Sequence, residues 1–169
     1  PPVFAHGRAV VTDQSPGFAA QIAEVKVDEE TGEVQVVRVV AVQDVGRAIN
    51  PMAIEGQIHG GVTQGIGWAL YEQMIYGDDG QLLTGTLMDY ALPDTTQAAR
   101  EFETILLEVP SDHGPFGARG VGEPPVTPTA AAVANAIAHA AGVRLTDIPM
   151  TAPQVLRALR SRNGSNGHN

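Results

Sequence analysis

Asn50-Pro51-Met52-Ala53-Ile54-Glu55-Gly56-Gln57-Ile58-His59-Gly60-Gly61-Val62-Thr63-Gln64-Gly65-Ile66-Gly67-Trp68-Ala69-Leu70-Tyr71 is the stretch whose reading decides the fold. Asn50 can cap a helix and Pro51 suits its first position, so a helix starts here and runs to about Tyr71. Ile54, Ile58, Val62, Ile66 and Leu70 recur every four residues as one apolar stripe. Gly56, Gly60, Gly61, Gly65 and Gly67 also fall inside it, and each costs about 1 kcal/mol against alanine in a helix interior. Such a helix needs a compensating use for its glycines. Gln57, Gly60, Gly61 and Gln64 are spaced i, i+3, i+4, i+7 and share one face. That face either lets another backbone pack closely or receives a flat polar ligand between two amides. His59 has no second His or Cys at ligand spacing and reads as a surface or capped histidine. Gly65-Ile66-Gly67 is not a dinucleotide fingerprint, because no strand feeds it directly.

Upstream, Phe18–Val27 and Val34–Gln43 read as two strands of a hairpin, joined by the acidic turn Asp28-Glu29-Glu30-Thr31-Gly32-Glu33. Glu24 and Lys26 share a face of the first strand, and the second is largely buried. Downstream, Gly77-Asp78-Asp79-Gly80 predicts a second hairpin between 72–76 and 81–83. Phe102–Val109 predicts another strand and Arg144–Ile148 a short one. Thr127-Pro128 reads as a cap and start for an alanine-rich helix, Ala130–Ala141, which Gly142 ends. Thr151 caps a last helix through Arg160. The expected fold class is α+β: β-hairpins and a short mixed sheet packed with a Gly-rich and an Ala-rich helix. Residues 1–16 read as an N-terminal extension, 17–160 as the domain and 161–169 as a flexible tail. No internal repeat is present.

Gly117-Ala118-Arg119-Gly120-Val121-Gly122-Glu123-Pro124-Pro125 is the other informative stretch. Its glycines allow positive φ or a close backbone approach. Its paired prolines predict an extended exit. Glu123 stands between a segment that bends and one that does not. It is either a solvated carboxylate on a surface turn or an acid aimed at a fixed point. The alanine-rich helix begins just beyond it, and a helix N-terminus favours negative charge. His113 lies close enough in sequence to pair with Glu123.

The chain of 169 residues suits one domain, and 43% hydrophobic residues suit a folded one. A formal net charge of −9 argues against a nucleic-acid or anionic-membrane partner. The absence of cysteine excludes disulfides and thiolate-held iron–sulfur clusters on this chain and suggests a reducing, cytoplasmic compartment. No apolar run is long enough to span a membrane. The first residue is proline with no signal pattern after it, so the chain is expected to be a processed product or a piece of something longer.

Four segments together resemble the C-terminal part of the molybdopterin-binding subunit of the xanthine dehydrogenase and aldehyde oxidoreductase family of molybdenum hydroxylases. They are the hairpin Ala19–Val42, Asp44–Pro51 (DVGRAINP), Glu55–Gly67 (EGQIHGGVTQGIG) and Gly117–Pro125 (GARGVGEPP). The resemblance implies that Glu123 is the catalytic base, that Gln57 lies at the pterin, and that Gly120, Val121 and Gly122 approach the metal centre through their backbone. It implies no protein ligand to the metal on this chain. Asp44, Arg47 and Asn50 match motif positions read as structural. The implied reaction is hydroxylation of an aldehyde or N-heterocycle, a small-molecule substrate, with water as the oxygen source. The implied cofactor is molybdenum–molybdopterin, the cytosine dinucleotide form included. The implied partners are the remaining part of the molybdenum subunit, an iron–sulfur subunit with [2Fe-2S] and an FAD subunit. Family subunits are much longer than this chain, so a second reading stays open: a non-catalytic cofactor-binding or assembly module. A hydrolase is the weakest reading, as no nucleophile elbow is visible.

Overall fold

Period-two alternation builds the sheet first. The computed structural model describes residues 2–8, 10 and 13–165, with side chains as far as Arg162. Strand β1 (Phe18–Val27) pairs antiparallel with β2 (Val34–Asp44), from Phe18↔Asp44 to Val27↔Val34, with a bulge between Glu24 and Val25. Asp28 Oδ1 closes the hairpin by accepting the N–H groups of Glu30 (2.8 Å) and Thr31 (3.1 Å). These bonds hold the Asp28 carboxyl below its ordinary range, so their contribution is present above that range and fades as pH falls through the lowered value. β3 (Glu101–Leu107) adds in parallel to the other edge of β2, giving the order β1-β2-β3 and the expected mixed sheet. It stops short of the predicted Val109 because the Val109 N–H leaves the ladder for the Asp44 carboxylate (3.2 Å).

Helix α1 (Pro51–Leu70) has the predicted bounds, and Asn50 Oδ1 accepts the Ala53 N–H at 3.2 Å. Ile54, Ile58, Val62, Ile66 and Leu70 are all buried in the core, with Val36, Val39 and Ala41 from β2. The glycines divide by use. A Cβ at Gly61 would stand 2.8 Å from Pro125, and one at Gly65 2.5 Å from Thr129, so this pair lets the next segment pack against bare helix backbone. Gly56 and Gly60 face open space, and Gln57, Gly60 and Gln64 are exposed. Close packing and an open face therefore coexist on neighbouring sides of one helix.

Helix α2 (Thr129–Ala141) packs over β1, and Gly142 ends it with φ 63°. Thr127 does not cap it. Pro128 occupies the cap position without a side-chain bond, because the chain enters through a turn closed by Val126 N–H to the Glu123 carbonyl. α3 (Ala152–Ser165) follows Thr151, whose N–H, rather than its hydroxyl, makes the capping bond, donating to Gln154 Oε1 (3.3 Å). It continues past Arg160, so the stretch read as a tail from Ser161 is helical to Ser165. Residues 166–169 lie outside the described part.

Three predicted strands do not form. The second hairpin reduces to a single bridge, Tyr76↔Leu82, around the Gly77–Gly80 turn. Residues 144–148 pair with no strand; the chain is instead tied down where Met150 N–H meets the Ala69 carbonyl (2.6 Å) at the end of α1. Among the described residues no helix is long and apolar enough to cross a membrane.

The two glycine classes of α1 make opposite predictions in urea unfolding of the full chain. Gly65→Ala is expected to destabilise by about 1–3 kcal/mol through its collision with buried Thr129. Gly56→Ala is expected to stabilise by up to about 1 kcal/mol, since its Cβ meets nothing. Equal effects would refute the division.

Candidate functional site

Two clamps fix the Gly117–Pro125 loop. The first is a buried ion pair: Arg119 Nε lies 3.1 Å from Asp44 Oδ2, with the two side chains only 12% and 8% exposed. Asp44 Oδ1 accepts the N–H groups of Gly46 (3.0 Å) and Val109 (3.2 Å). The Arg119 guanidinium also donates to the carbonyls of Val109 (3.2 Å) and Pro16 (2.7 Å). Backbone bonds reinforce it, Arg119 N–H to the Val45 carbonyl and Arg47 N–H to the Gly117 carbonyl. Gly46 makes the approach possible: its φ is +64° and a Cβ there would stand 2.2 Å from the Gly117 carbonyl. The second clamp is at the far end. Gln21 donates to the Pro125 carbonyl (2.6 Å), and the Thr129 hydroxyl serves both Gln21 Oε1 (2.8 Å) and that carbonyl (3.0 Å).

Between the clamps the loop runs free. The N–H groups of Gly120, Val121 and Gly122 find no partner among the described residues, nor does the exposed Glu123 carboxylate. Positive φ occurs at Gly117 (82°) but not at Gly120 or Gly122, which contribute bare backbone instead. Pro124 and Pro125 do not lead into an extended exit. They form the turn into α2, and Pro125 is buried against Gly61, because proline's fixed φ also fits a turn.

The structure joins Gln57 to this loop. Gln57 and Val121 line one pocket of about 260 Å³ with Val45, Ala53 and Arg47, and Gln57 Oε1 lies 3.5 Å from where a Gly122 Cβ would be. Glu123 opens instead onto a cleft of about 330 Å³ lined by Gly17, Ala19 and Thr127. One loop thus separates the amide from the carboxylate. His113 does not pair with Glu123; its Nδ1 lies 3.6 Å from Asp13 Oδ2. His59 bonds Thr104 Oγ1 (3.2 Å) and packs on Phe102. Asp44 is structural as read, and Asn50 caps α1; the exposed Arg47 and Asn50 both line the Gln57 pocket. A groove between Arg144, Thr146 and α3 brings none of these residues in.

The chain matches the model of the molybdopterin cofactor-binding domain over residues 5–99. It belongs to that family. The match begins inside the stretch read as an extension. The chain is 43% identical, over 150 residues and 86% of its length, to the carbon monoxide dehydrogenase large chain of Hydrogenophaga pseudoflava, of which it spans 18%. It superposes on quinoline 2-oxidoreductase from Pseudomonas putida 86 with a TM-score of 0.74 and 40% identity, covering 80% of this chain and 18% of that one. With aldehyde oxidoreductase from Desulfovibrio gigas the TM-score is 0.78 at 38% identity, over 85% and 15%. The chain therefore spans less than a fifth of the length of these relatives.

Sequence reading of this molybdopterin-binding domain missed Arg119, Gln21 and Thr129, which hold the loop without lying in its proposed chemistry. It also missed Phe116, exposed and at φ 54°, a conformation unusual for a bulky residue. Arg119→Ala is expected to lower stability by about 3 kcal/mol, because it leaves Asp44 buried without its partner. Arg119→Lys should recover little, since one ammonium does not reproduce the fork to Asp44, Val109 and Pro16. Wild-type unfolding midpoints for both variants would remove the clamp.

Proposed function

We propose that this chain is the part of a molybdenum hydroxylase large subunit that carries the base and one wall of the pterin site. The observation that supports it best is the free segment of the clamped loop. Three successive N–H groups of a glycine-rich backbone have no partner among the described residues, Gln57 meets that backbone at Gly122, and Glu123 lines a separate cleft. This donor set fits an oxygen-rich, planar cofactor: glycine permits close approach, the amide of Gln57 both donates and accepts, and backbone donors favour anionic oxygen.

When bound, the molybdenum–pterin group supplies two-electron redox chemistry and activates the water-derived oxygen nucleophile. The chain's own residues do the rest. Gln57 orients the pterin edge by hydrogen bonds. Gly120, Val121 and Gly122 offer their N–H groups to its oxygens. Glu123 accepts a proton at its carboxylate as the nucleophile forms its bond to an electron-poor carbon of an aldehyde or N-heterocycle. The Asp44–Arg119 and Gln21–Thr129 clamps hold the carboxylate in register, which a general base requires. These residues hold no cysteine for a thiolate cluster, and in this reading the [2Fe-2S] and FAD that carry the electrons away lie on partner subunits. We assign the cytosine dinucleotide form and a cytoplasmic site of action to the same reading. Relatives named for aldehyde oxidoreduction, nicotine 6-hydroxylation and quinoline oxidoreduction support an aldehyde or N-heterocyclic substrate.

In the assembled enzyme, Glu123→Gln is expected to lower turnover by about a hundredfold or more while molybdenum and pterin contents stay near wild type. Substantial residual turnover would remove its role. Gln57→Ala is expected to lower pterin content at purification, and unchanged content would take Gln57 out of the site.

A further inference from the structure

Gln43 is 2% exposed, and neither Oε1 nor Nε2 of its amide has a hydrogen-bond partner among the described residues. A buried polar group without a bond weakens a fold, and an apolar side chain of the same shape would remove that cost. This chain encloses the amide by itself, so its partner has to come from what covers it.

Strand register says what that is. Gln43 lies between Ala19 of β1 and Leu106 of β3, and cross-strand neighbours share a face. The face is the inner one. Val39 and Ala41, at the alternate positions of β2, belong to the core, and Gln21, opposite Ala41, bonds the Pro125 carbonyl. Ala19 lines the Glu123 cleft, and Val45, the next alternate residue, lines the Gln57 pocket with Val121. The Gly120 carbonyl stands 3.2 Å from where a Cβ on Gly17 would be, so the loop crosses this end of the sheet. Gln43 is therefore set beneath the stretch that separates the two openings. Unmade bonds wait there too: neither the N–H groups nor the carbonyls of Gly120, Val121 and Gly122 have a partner among the described residues.

We propose that Gln43 is a positioning residue for Glu123: in the assembled enzyme the loop settles onto this amide, Nε2 donating to a carbonyl of the 120–122 segment and Oε1 sharing one of its N–H groups from beneath. The role of Glu123 in this rests on the hydroxylase reading. The two clamps hold the ends of the loop, and Gln43 holds its middle. An amide suits that task because it donates and accepts at once and brings no buried charge. The remaining N–H groups stay open to the pterin oxygens. In the chain alone the bonds are unmade, and a position serving the core only would be better filled by an apolar residue.

Gln43→Met, apolar and of similar volume, separates the two roles. In urea unfolding of the chain alone its midpoint is expected to equal or exceed that of wild type. In the assembled enzyme molybdenum and pterin contents are expected to stay near wild type. There kcat is expected to fall about tenfold with KM within about twofold, and hydrogen exchange at residues 119–123 to speed about tenfold. A lower midpoint, or a chain that does not fold, makes Gln43 structural and overturns the proposal. Loss of molybdenum or pterin makes it a cofactor contact and overturns it as well, as does wild-type exchange in the assembled variant. Wild-type kcat for Gln43→Met, in an enzyme that Glu123→Gln inactivates, overturns the positioning role. Turnover retained by Glu123→Gln removes the base instead, and the exchange and unfolding readouts for Gln43 do not depend on it.

Discussion

A buried ion pair organises the end of this domain that carries the candidate site. Asp44 closes β2 and Arg119 opens the glycine loop, and each is nearly enclosed. Burying two charges costs several kcal/mol per ion unless the pair is tight and its remaining donors and acceptors are bonded. Here they are: both Asp44 oxygens are engaged, and the guanidinium reaches two carbonyls besides its partner. Four stretches of chain meet there, the end of β2, the turn at Val109, the segment at Pro16 and the loop itself. An apolar pair of the same volume would bury as much surface but would not fix the direction of the loop.

That direction matters because the loop's middle holds nothing to itself. A glycine segment with unpaired N–H groups would collapse onto neighbouring carbonyls if its ends were loose. Arg119 anchors one end, and Gln21 with Thr129 anchors the other. The glycines of α1 complete the arrangement. Gly61 and Gly65 let Pro125 and Thr129 approach the helix axis, which draws the loop toward Gln57. Helix propensity is given up to bring the loop and the Gln57 helix together.

The same economy of surface explains the apolar residues left outside. Leu83, Leu87, Met88 and Leu92, all exposed, lie on an irregular excursion between α1 and β3, and the outer face of the sheet adds more. A self-sufficient domain of this size would cover more of its apolar surface. Glu123 and Gln57 line separate openings, the first shared with Gly17, Ala19 and Thr127 and the second formed between the end of β2, α1 and the loop.

Local signals determined much of the architecture. Asn50-Pro51 and the four-residue stripe gave α1 its bounds, the alternation around Asp28–Glu33 gave the hairpin, and Gly142 ended α2, because each depends on neighbours a few residues apart. Glu123, Gln57 and Gly120–Gly122 stood out as site candidates through the family resemblance of their motifs; their residue types and spacing alone left a solvated turn and close helix packing open. Only the tertiary structure decided that β3 runs parallel to β2, that 144–148 forms no strand, and that Pro124-Pro125 turns rather than extends. Those outcomes depend on which distant backbone is within reach. Arg119 is the clearest case. Its place in the Gly117–Pro125 motif marks the loop but not the arginine's partner. Its partner lies at the end of a strand far up the chain, and the pair exists only once the sheet and the loop have been folded together.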